Sequence, residues 1–255
     1  MRLFQHGNQP EKNYVSCGRT HIGMVRTSNQ DALIEAGPLV GVADGMGGHQ
    51  GGETASADAR DALIAFAEGK TPDAVLLRQG IEAANRAVYD HAHADPALNG
   101  MGTTLTALWV GEKEVFLGHV GDSRCYLWRN EALIQLSQDH SLVADMVRTG
   151  MITPEQAAHH PMRNIITRAV GTQPTVEVDT DVIPRMQGDL YLVCSDGLYG
   201  MVEDEVIAEI LHSAGSDREA AESLVEEALV CGGPDNVTVM LLRDERGPGK
   251  EAGQT

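Results

Sequence analysis

The sequence has 255 residues, which is enough for one large domain with a substantial core and too few for two domains of ordinary size. Apolar residues make up 42% of the chain, which argues against disorder, and the formal net charge of −18 disfavours binding to nucleic acid or to an anionic membrane surface. Most of the 37 acidic residues are expected to be solvated surface groups, which leaves a few to hold metal cations.

The chain begins with a polar stretch, residues 1–12, that contains Gly and Pro and predicts a flexible arm. Short apolar runs bounded by turn residues predict strands at 32–34, 39–43, 104–110, 114–120, 124–128, 132–136, 176–183, 190–194 and 237–242. Helical spacing of apolar side chains predicts helices at 53–67, 72–91, 204–211 and 218–230. Thr153, followed by Pro154, predicts one further helix start. Residues 245–255 predict a disordered tail.

The order of these elements indicates an α+β domain over residues 13–244, in which helices cover mostly antiparallel sheets. The runs 115–120, 124–128 and 132–136 are separated by two short turns, which predicts an antiparallel meander.

Cysteine usage and the absence of long apolar runs bear on the compartment. No two of the four cysteines are spaced as Cys-x-x-Cys, so we expect four free thiols in a reducing environment. The first residues lack the apolar run of a signal peptide, and no stretch approaches the roughly 18 apolar residues of a membrane-spanning helix. The sequence therefore predicts a cytoplasmic protein without a membrane partner.

Four carboxylates stand at edges of predicted strands beside glycine or a turn residue: Asp44, Asp122, Asp196 and Asp235. A single Asp-Gly pair is most often only a turn, and four such positions weaken that explanation. Because antiparallel neighbours bring strand starts and ends to one edge, the four side chains can meet there. Clustered carboxylates repel one another unless cations neutralise them, and oxygen ligands favour Mg²⁺ or Mn²⁺ over Zn²⁺. The pattern predicts a hard-cation site and specifies no reaction.

Arg26 precedes the first acidic run and is a candidate phosphate ligand, because its planar group matches phosphate geometry. The alternative is an ordinary surface arginine. The glycine-rich segment that follows Asp44 lacks the Gly-Lys-Ser/Thr ending of a P-loop and the glycine spacing of a dinucleotide site. The serine-hydrolase pattern GxSxG and the metalloprotease pattern HExxH are both missing from the sequence.

Eight short segments form an ordered set along the chain: RTSNQD (26–31), VADGMGGH (42–49), GTTL (102–105), VGDSR (120–124), DHS (139–141), RAVG (168–171), SDGL (195–198) and GGPDNVTV (232–239). Together they resemble the metal-dependent serine/threonine phosphatases of the protein phosphatase type 2C family, and DGMGG is similar to its bacterial branch. The resemblance implies a four-layer α-β-β-α sandwich, two antiparallel sheets flanked by helices, with a metal site in a cleft at one edge. It also implies a flap beside the cleft at about residues 142–164.

The resemblance implies metal-binding roles for five residues. Asp44 would bridge two metal ions, and the carbonyl of Gly45 would ligate one of them. Asp196 and Asp235 would ligate the other. Asp122, together with Asp196, would contribute to a weaker third metal site.

The remaining roles concern water, phosphate and the leaving group. By the same resemblance, Asp31 would hold metal-bound water and Arg26 would bind the substrate phosphate. Met46 stands where animal members have a histidine that is proposed to protonate the leaving alkoxide, so the general acid stays open; a metal-bound water can serve. Three nearby histidines are interpreted as ordinary structural residues: His49, His119 and His140.

The function implied is hydrolysis of phosphoserine and phosphothreonine in proteins by a metal-activated water at a binuclear Mn²⁺ or Mg²⁺ centre. Expected partners are phosphorylated proteins, namely a bacterial Ser/Thr kinase and its substrates, and a monomer is expected. The alternative is a catalytically inactive phosphoprotein-binding regulator of the same fold, which would have lost a metal carboxylate; none is lost. A nuclease is opposed by the negative charge. A dedicated role on a phosphorylated anti-sigma-factor antagonist would differ in substrate alone.

Overall fold

The structure is a computed structural model that describes residues 13–246, so the predicted arm at 1–12 and residues 247–255 of the predicted tail lie outside the described residues. The strands are β1 Tyr14–His21, β2 Asp31–Ala36, β3 Leu39–Met46, β4 Gly102–Thr103, β5 Leu105–Val110, β6 Glu114–Val120, β7 Arg124–Arg129, β8 Ala132–Gln135, β9 Asp179–Pro184, β10 Leu190–Cys194 and β11 Val237–Asp244. The helices are α1 Gly48–Ala67, α2 Ala74–Ala94, α3 Leu142–Arg148, α4 Pro154–Ala158, α5 Asp196–Tyr199, α6 Asp204–Ser213 and α7 Asp217–Val230, with a 3-10 helix at Pro96–Leu98. Within this range no helix is long and apolar enough to cross a membrane.

Three apolar clusters separate four layers. One lies between the helices α1 and α2 and a sheet of order β2-β3-β5-β6-β9, with β4 beside β3. A second lies between the two sheets. The third lies between the other sheet, of order β1-β11-β10-β7-β8, and helices α5 to α7. The predicted α+β class and the α-β-β-α sandwich of antiparallel sheets are confirmed.

Strand β11 shows why an unbroken apolar run forms a strand here. Val239 and Leu241 point to the outer cluster under the helices, whereas Met240 and Leu242 point to the cluster between the sheets. Because both faces of this strand are covered, its residues need not alternate with polar ones. The edge strand β1 pairs with β11 over eight residues and is mostly half-buried. It is missing from the predicted strands because its apolar pattern is weak.

The predicted meander is wrong at its first turn and right at its second. Strand β6 pairs with β5 and β9, whereas β7 pairs with β10 and β8, so residues 121–123 carry the chain from one sheet to the other. In sequence, a three-residue turn between apolar runs has the same pattern whether it forms a hairpin within one sheet or a crossing between two sheets. Gly121 makes the crossing possible: its φ is 112°, and a Cβ there would lie 2.6 Å from the Thr104 side chain. The second turn is a two-residue hairpin through Asn130 and Glu131.

The helices agree with the prediction except at their ends and in two short segments. Helix α1 begins at residue 48 rather than 53, and helices α3 and α5 have no counterpart among the predicted helices. Helix α4 has the expected start, since Thr153 Oγ1 accepts from Gln156 N–H and the Gln156 side chain accepts from Thr153 N–H. All four cysteines are free thiols, as predicted.

Candidate functional site

The base of the candidate site is a pair of facing carboxylates. Asp31 begins β2 and stands directly opposite Asp44 of β3 in the antiparallel ladder. Facing like charges destabilise a sheet unless something neutralises them. Asp31 Oδ2 accepts a hydrogen bond from Ser195 Oγ at 2.8 Å, whereas its buried Oδ1 has no partner among the described residues. Burial raises the pKa of Asp31 to about 6.

Gly45 is required beside Asp44 because the backbone is closely packed there. A Cβ at this position would lie 2.0 Å from the Gly52 carbonyl oxygen in α1 and 2.6 Å from that of Gln30. The Gly45 N–H donates to the Gln30 carbonyl, and Gly45 also pairs with Thr103 of β4. The end of β3 is therefore fixed from both sides.

Three further carboxylates come from separate parts of the fold. Asp122 lies in the crossing between the sheets, Asp196 is the first residue of α5, and Asp235 lies in the loop before β11. Burial, and after it the charges of Asp122 and Asp235, raises the pKa of Asp196 to about 8. Burial also raises the pKa of Asp122 to about 7.

The Asp44 carboxyl is the group whose pKa all of the other carboxylates raise. Burial raises its pKa well above the ordinary value, and the charges of Asp31, Asp196, Asp122 and Asp235 raise it further. Four carboxylates from other parts of the fold thus act on Asp44. Such a group is unfavourable by itself and is stabilised by bound cations.

Arg26 brings a positive charge to the same place. Its Nη2 donates a hydrogen bond to Asp235 Oδ2 at 2.6 Å, and its side chain is half-exposed. A cleft of about 520 Å³ is lined by residues of the predicted site and their neighbours: Arg26, Thr27, Ser28, Gln30, Asp44, Gly45, Met46, Gly47, Asp122, Asn164, Ile166, Asp196 and Asp235. The structure therefore brings six of the seven predicted site residues to one cleft and places the seventh, Asp31, beneath it, opposite Asp44.

The donor set fits hard divalent cations although the carboxylates are not drawn tightly together. Among the side chains that the structure describes, which leave out residues 48–50, no three His, Cys, Asp or Glu form a ready-made metal site. Asp235 is turned to Arg26, and the remaining carboxylates repel one another. The donors that line the cleft are nevertheless all oxygen atoms, which Mg²⁺ and Mn²⁺ prefer, and the buried Oδ1 of Asp31 leaves an acceptor free for a water.

The histidines near these motifs have structural partners. Buried His119 contacts the Thr106 hydroxyl and the Gln138 carbonyl, and burial lowers the pKa of His119 to about 4. His140 Nδ1 accepts from the Gly121 N–H, which holds the crossing next to Asp122. The side chain of His49 is outside the described part of the structure.

Sequence reasoning missed the residues that hold these carboxylates in place. Ser195 Oγ accepts from the Thr238 N–H at 3.0 Å while it donates to Asp31. The Tyr199 hydroxyl donates to the Asp122 carbonyl at 2.8 Å, and the Arg124 guanidinium lies 3.8 Å from the centre of the Tyr199 ring. Ser195 directly precedes Asp196 in the sequence, and this adjacency is the one sequence feature that points to a role for Ser195 at the site.

Comparison with known proteins identifies the family. A family profile described as Protein phosphatase 2C matches residues 17–231. The chain belongs to the protein phosphatase 2C family. The predicted family and the enzyme class, a phosphoprotein hydrolase, are confirmed by this match and by the relatives below.

Similar bacterial members of the protein phosphatase 2C family cover nearly all of the chain. Serine/threonine phosphatase stp of Listeria monocytogenes is 42% identical over 250 residues, which are 92% of this chain and 98% of the relative. The crystal structure of the Mycobacterium tuberculosis serine/threonine phosphatase PstP/Ppp has a TM-score of 0.87 and 39% identity, and covers 91% of this chain and 99% of its own. The catalytic domain of PstP, solved in complex with two manganese ions, has a TM-score of 0.82 and 37% identity, with coverage of 90% and 97%.

Proposed function

We propose that this protein phosphatase 2C member hydrolyses phosphoserine and phosphothreonine in proteins with Mn²⁺ or Mg²⁺ as cofactor. The observation that carries the proposal is a cleft lined by Asp44, Asp122, Asp196 and Asp235 together with Arg26, with Asp31 facing Asp44 in the sheet. A phosphate would be repelled by these carboxylates alone, so cations must accompany it. The manganese-bound relative supports this cofactor choice.

The cation ligands are assigned residue by residue. Asp44 would bridge two ions, with the Gly45 carbonyl on one of them and Asp196 and Asp235 on the other. Asp122, together with Asp196, would complete a weaker third site. When bound, the cations supply a water acidic enough to act as a nucleophile at neutral pH.

The chain's own groups then orient the reactants. The partnerless Oδ1 of Asp31 is placed to accept a hydrogen bond from a water, while Ser195 fixes the other oxygen. When substrate binds, Arg26 would give up its hydrogen bond to Asp235 and bind the substrate phosphate. Its planar guanidinium can donate two hydrogen bonds to that phosphate. Met46 lines the cleft, and its thioether has no acidic proton to donate. A water would therefore protonate the leaving oxygen.

The segment 142–164 is assigned as the flap that influences substrate choice. Its two short helices, α3 and α4, are followed by Asn164 and Ile166, which line the cleft. The Leu142 N–H donates to the Ile165 carbonyl, which ties the two ends of the segment together. Substrates are expected among the targets of a bacterial Ser/Thr kinase, and we assign a monomer that acts in the cytoplasm, where free thiols persist.

One assay tests the proposal. Hydrolysis of a phosphothreonine peptide is measured with Mn²⁺, with EDTA, and for Asp235→Asn beside the control Asp61→Asn, whose carboxylate is exposed and does not line the cleft. We expect activity with Mn²⁺, none with EDTA, a loss of about 100-fold or more in Asp235→Asn, and wild-type rates in the control. An inactive wild type that binds the phosphopeptide would instead support the phosphoprotein-binding regulator.

A further inference from the structure

The loop that carries Arg26 is held at both of its ends by one buried side chain. Asn236 Nδ2 donates to the carbonyl of Ile22 at 2.9 Å and to that of Ser28 at 2.9 Å. Its Oδ1 accepts from the Gln30 N–H at 2.8 Å. An amide has two donor hydrogens and one carbonyl, and all of these groups are used here. Asn236 is 4% exposed, so water cannot simply replace the bonds if they are lost.

The same loop is pressed against the backbone that carries Asp235. Gly23 has a φ of 83°, and a Cβ there would lie 2.1 Å from the Asp235 carbonyl oxygen. The Met24 N–H donates to the Gly233 carbonyl at 2.7 Å. Residues 22–30 therefore pack against residues 233–236 as one unit. Among the described contacts of the segment 233–236, Asn236 is the one side chain that bonds to both ends of the loop.

This arrangement fixes the position of a side chain that Asn236 does not touch. Arg26 is half-exposed, and the one hydrogen bond described for it, to Asp235, must be given up when phosphate binds. Since its side chain is then held only by the ligand, the direction of approach depends on the backbone of the loop. An arginine on a loosened loop loses more conformational freedom on binding and binds phosphate more weakly.

We propose that Asn236 is a positioning residue that sets phosphate affinity by holding the Arg26 loop against the Asp235 segment. The inference rests on the proposed role of Arg26. It assigns Asn236 no contact with substrate or with reacting atoms. Its effect must therefore pass through Arg26, and it must appear in KM and in phosphate binding rather than in kcat.

The test uses full-length Asn236→Ser at saturating Mn²⁺, with Asn85→Ser as matched control. Asn85 is equally buried, donates to the Gln173 carbonyl and accepts from the Gly171 N–H, and so holds a different loop to α2. We expect Asn236→Ser to raise KM for a phosphothreonine peptide, and the Kd of inorganic phosphate by calorimetry, about tenfold, with kcat changed less than about twofold. Asn85→Ser should leave both constants unchanged while lowering thermal stability to a similar degree.

A double-mutant cycle decides whether the effect passes through Arg26. In an Arg26→Ala background, Asn236→Ser should add no further rise in KM or Kd. If the two effects add, or if the single variant leaves both constants at wild-type values, the inference is overturned. Asn236→Ala, which removes all three hydrogen bonds without adding a charge, replaces the serine variant if that protein does not fold. Phosphate calorimetry reports on Asn236 even if peptide hydrolysis, and with it the proposed function, fails.

Discussion

Arg26 Nη2 lies 2.6 Å from Asp235 Oδ2, so the proposed phosphate ligand contacts a proposed metal ligand directly. A cation that binds Asp235 must compete with the guanidinium, and a bound cation releases Arg26 toward the substrate. Half-exposed ion pairs of this kind contribute about 1 kcal/mol or less. The competition is therefore weak enough to be reversed by a divalent ion.

Removing Arg26 should affect metal and substrate in opposite directions. In Arg26→Ala, Mn²⁺ should bind about threefold more tightly, because neither competition nor charge repulsion remains. KM for a phosphothreonine peptide should rise about tenfold or more, because a charge-assisted contact to phosphate is lost. Calorimetry with Mn²⁺ and steady-state kinetics measure the two effects.

Arg19→Ala is the control for this prediction, because Arg19 also forms a 2.7 Å ion pair, with Glu222, outside the cleft. It should leave both constants unchanged. Weaker Mn²⁺ binding in Arg26→Ala would show that the arginine supports the metal site instead of competing with it.

The parts of the site that sequence could predict are those encoded locally. Asp44 and Asp196 are each followed by glycine at the end of an apolar run, and Asp235 precedes one, so the pattern is visible within a few residues. The contacts between segments were not visible. Ser195 meets Asp31 across 164 positions, and Arg26 meets Asp235 across 209. Such pairs depend on how the sheets stack, and a single sequence does not encode that in any local pattern.

The fold shows the same division. Strand β11 was evident because both its faces are buried, whereas the edge strand β1 has few buried apolar positions and was missed. The length of the turn at 121–123 predicts a hairpin, which the structure does not have. The choice between pairing β6 with β7 and crossing to the other sheet depends on the partners β9 and β10, which lie at least 50 residues further along the chain.

Neutralising Asp44 should stabilise the metal-free protein and abolish its response to metal. Its carboxylate is buried among four others, and this environment raises its pKa. Asp44→Asn removes that repulsion, so the Tm in EDTA should rise by about 3 °C or more. The increase in Tm that Mn²⁺ gives the wild type should be lost, because binding stabilises only a protein that retains the site. Asp61→Asn should match the wild type in both conditions. An unchanged response to Mn²⁺ in Asp44→Asn would contradict the bridging role.

The hairpin between β7 and β8 offers a test of backbone conformation alone. Its turn residues Asn130 and Glu131 have φ values of 52° and 61°, in the left-handed region that asparagine adopts at a lower energetic cost than glutamate. Glu131→Gly should raise the free energy of unfolding by about 1 kcal/mol, measured by urea denaturation. Asn130→Gly should give a smaller gain. Gly37→Ala, at φ 61° with open space around its Cβ, should cost a similar amount, and stability lost in Glu131→Gly would refute the argument.

The metal-free protein should become less stable as the pH rises from about 6.5 to 8. Burial and neighbouring carboxylates raise the pKa of Asp122 to about 7 and of Asp196 to about 8, against about 3.9 in the unfolded chain. In this window the folded state binds more protons than the unfolded state, so the free energy of unfolding falls with pH, by an amount on the order of 1 kcal/mol. Below the window, His119 opposes the trend, because its lowered pKa makes the folded protein more stable as the pH rises to about 6.5. The measurement is Tm against pH in EDTA.

Saturating Mn²⁺ should remove this pH dependence, since bound cations keep the carboxylates ionised in the folded state. Asp196→Asn in EDTA should show a shallower slope than the wild type, because it lacks the group whose pKa is raised to about 8, whereas Asp61→Asn should keep the wild-type slope. A slope that survives both Mn²⁺ and the substitution would come from groups outside the cleft. In that case the raised pKa values of the cleft carboxylates would not be what limits the stability of the metal-free protein.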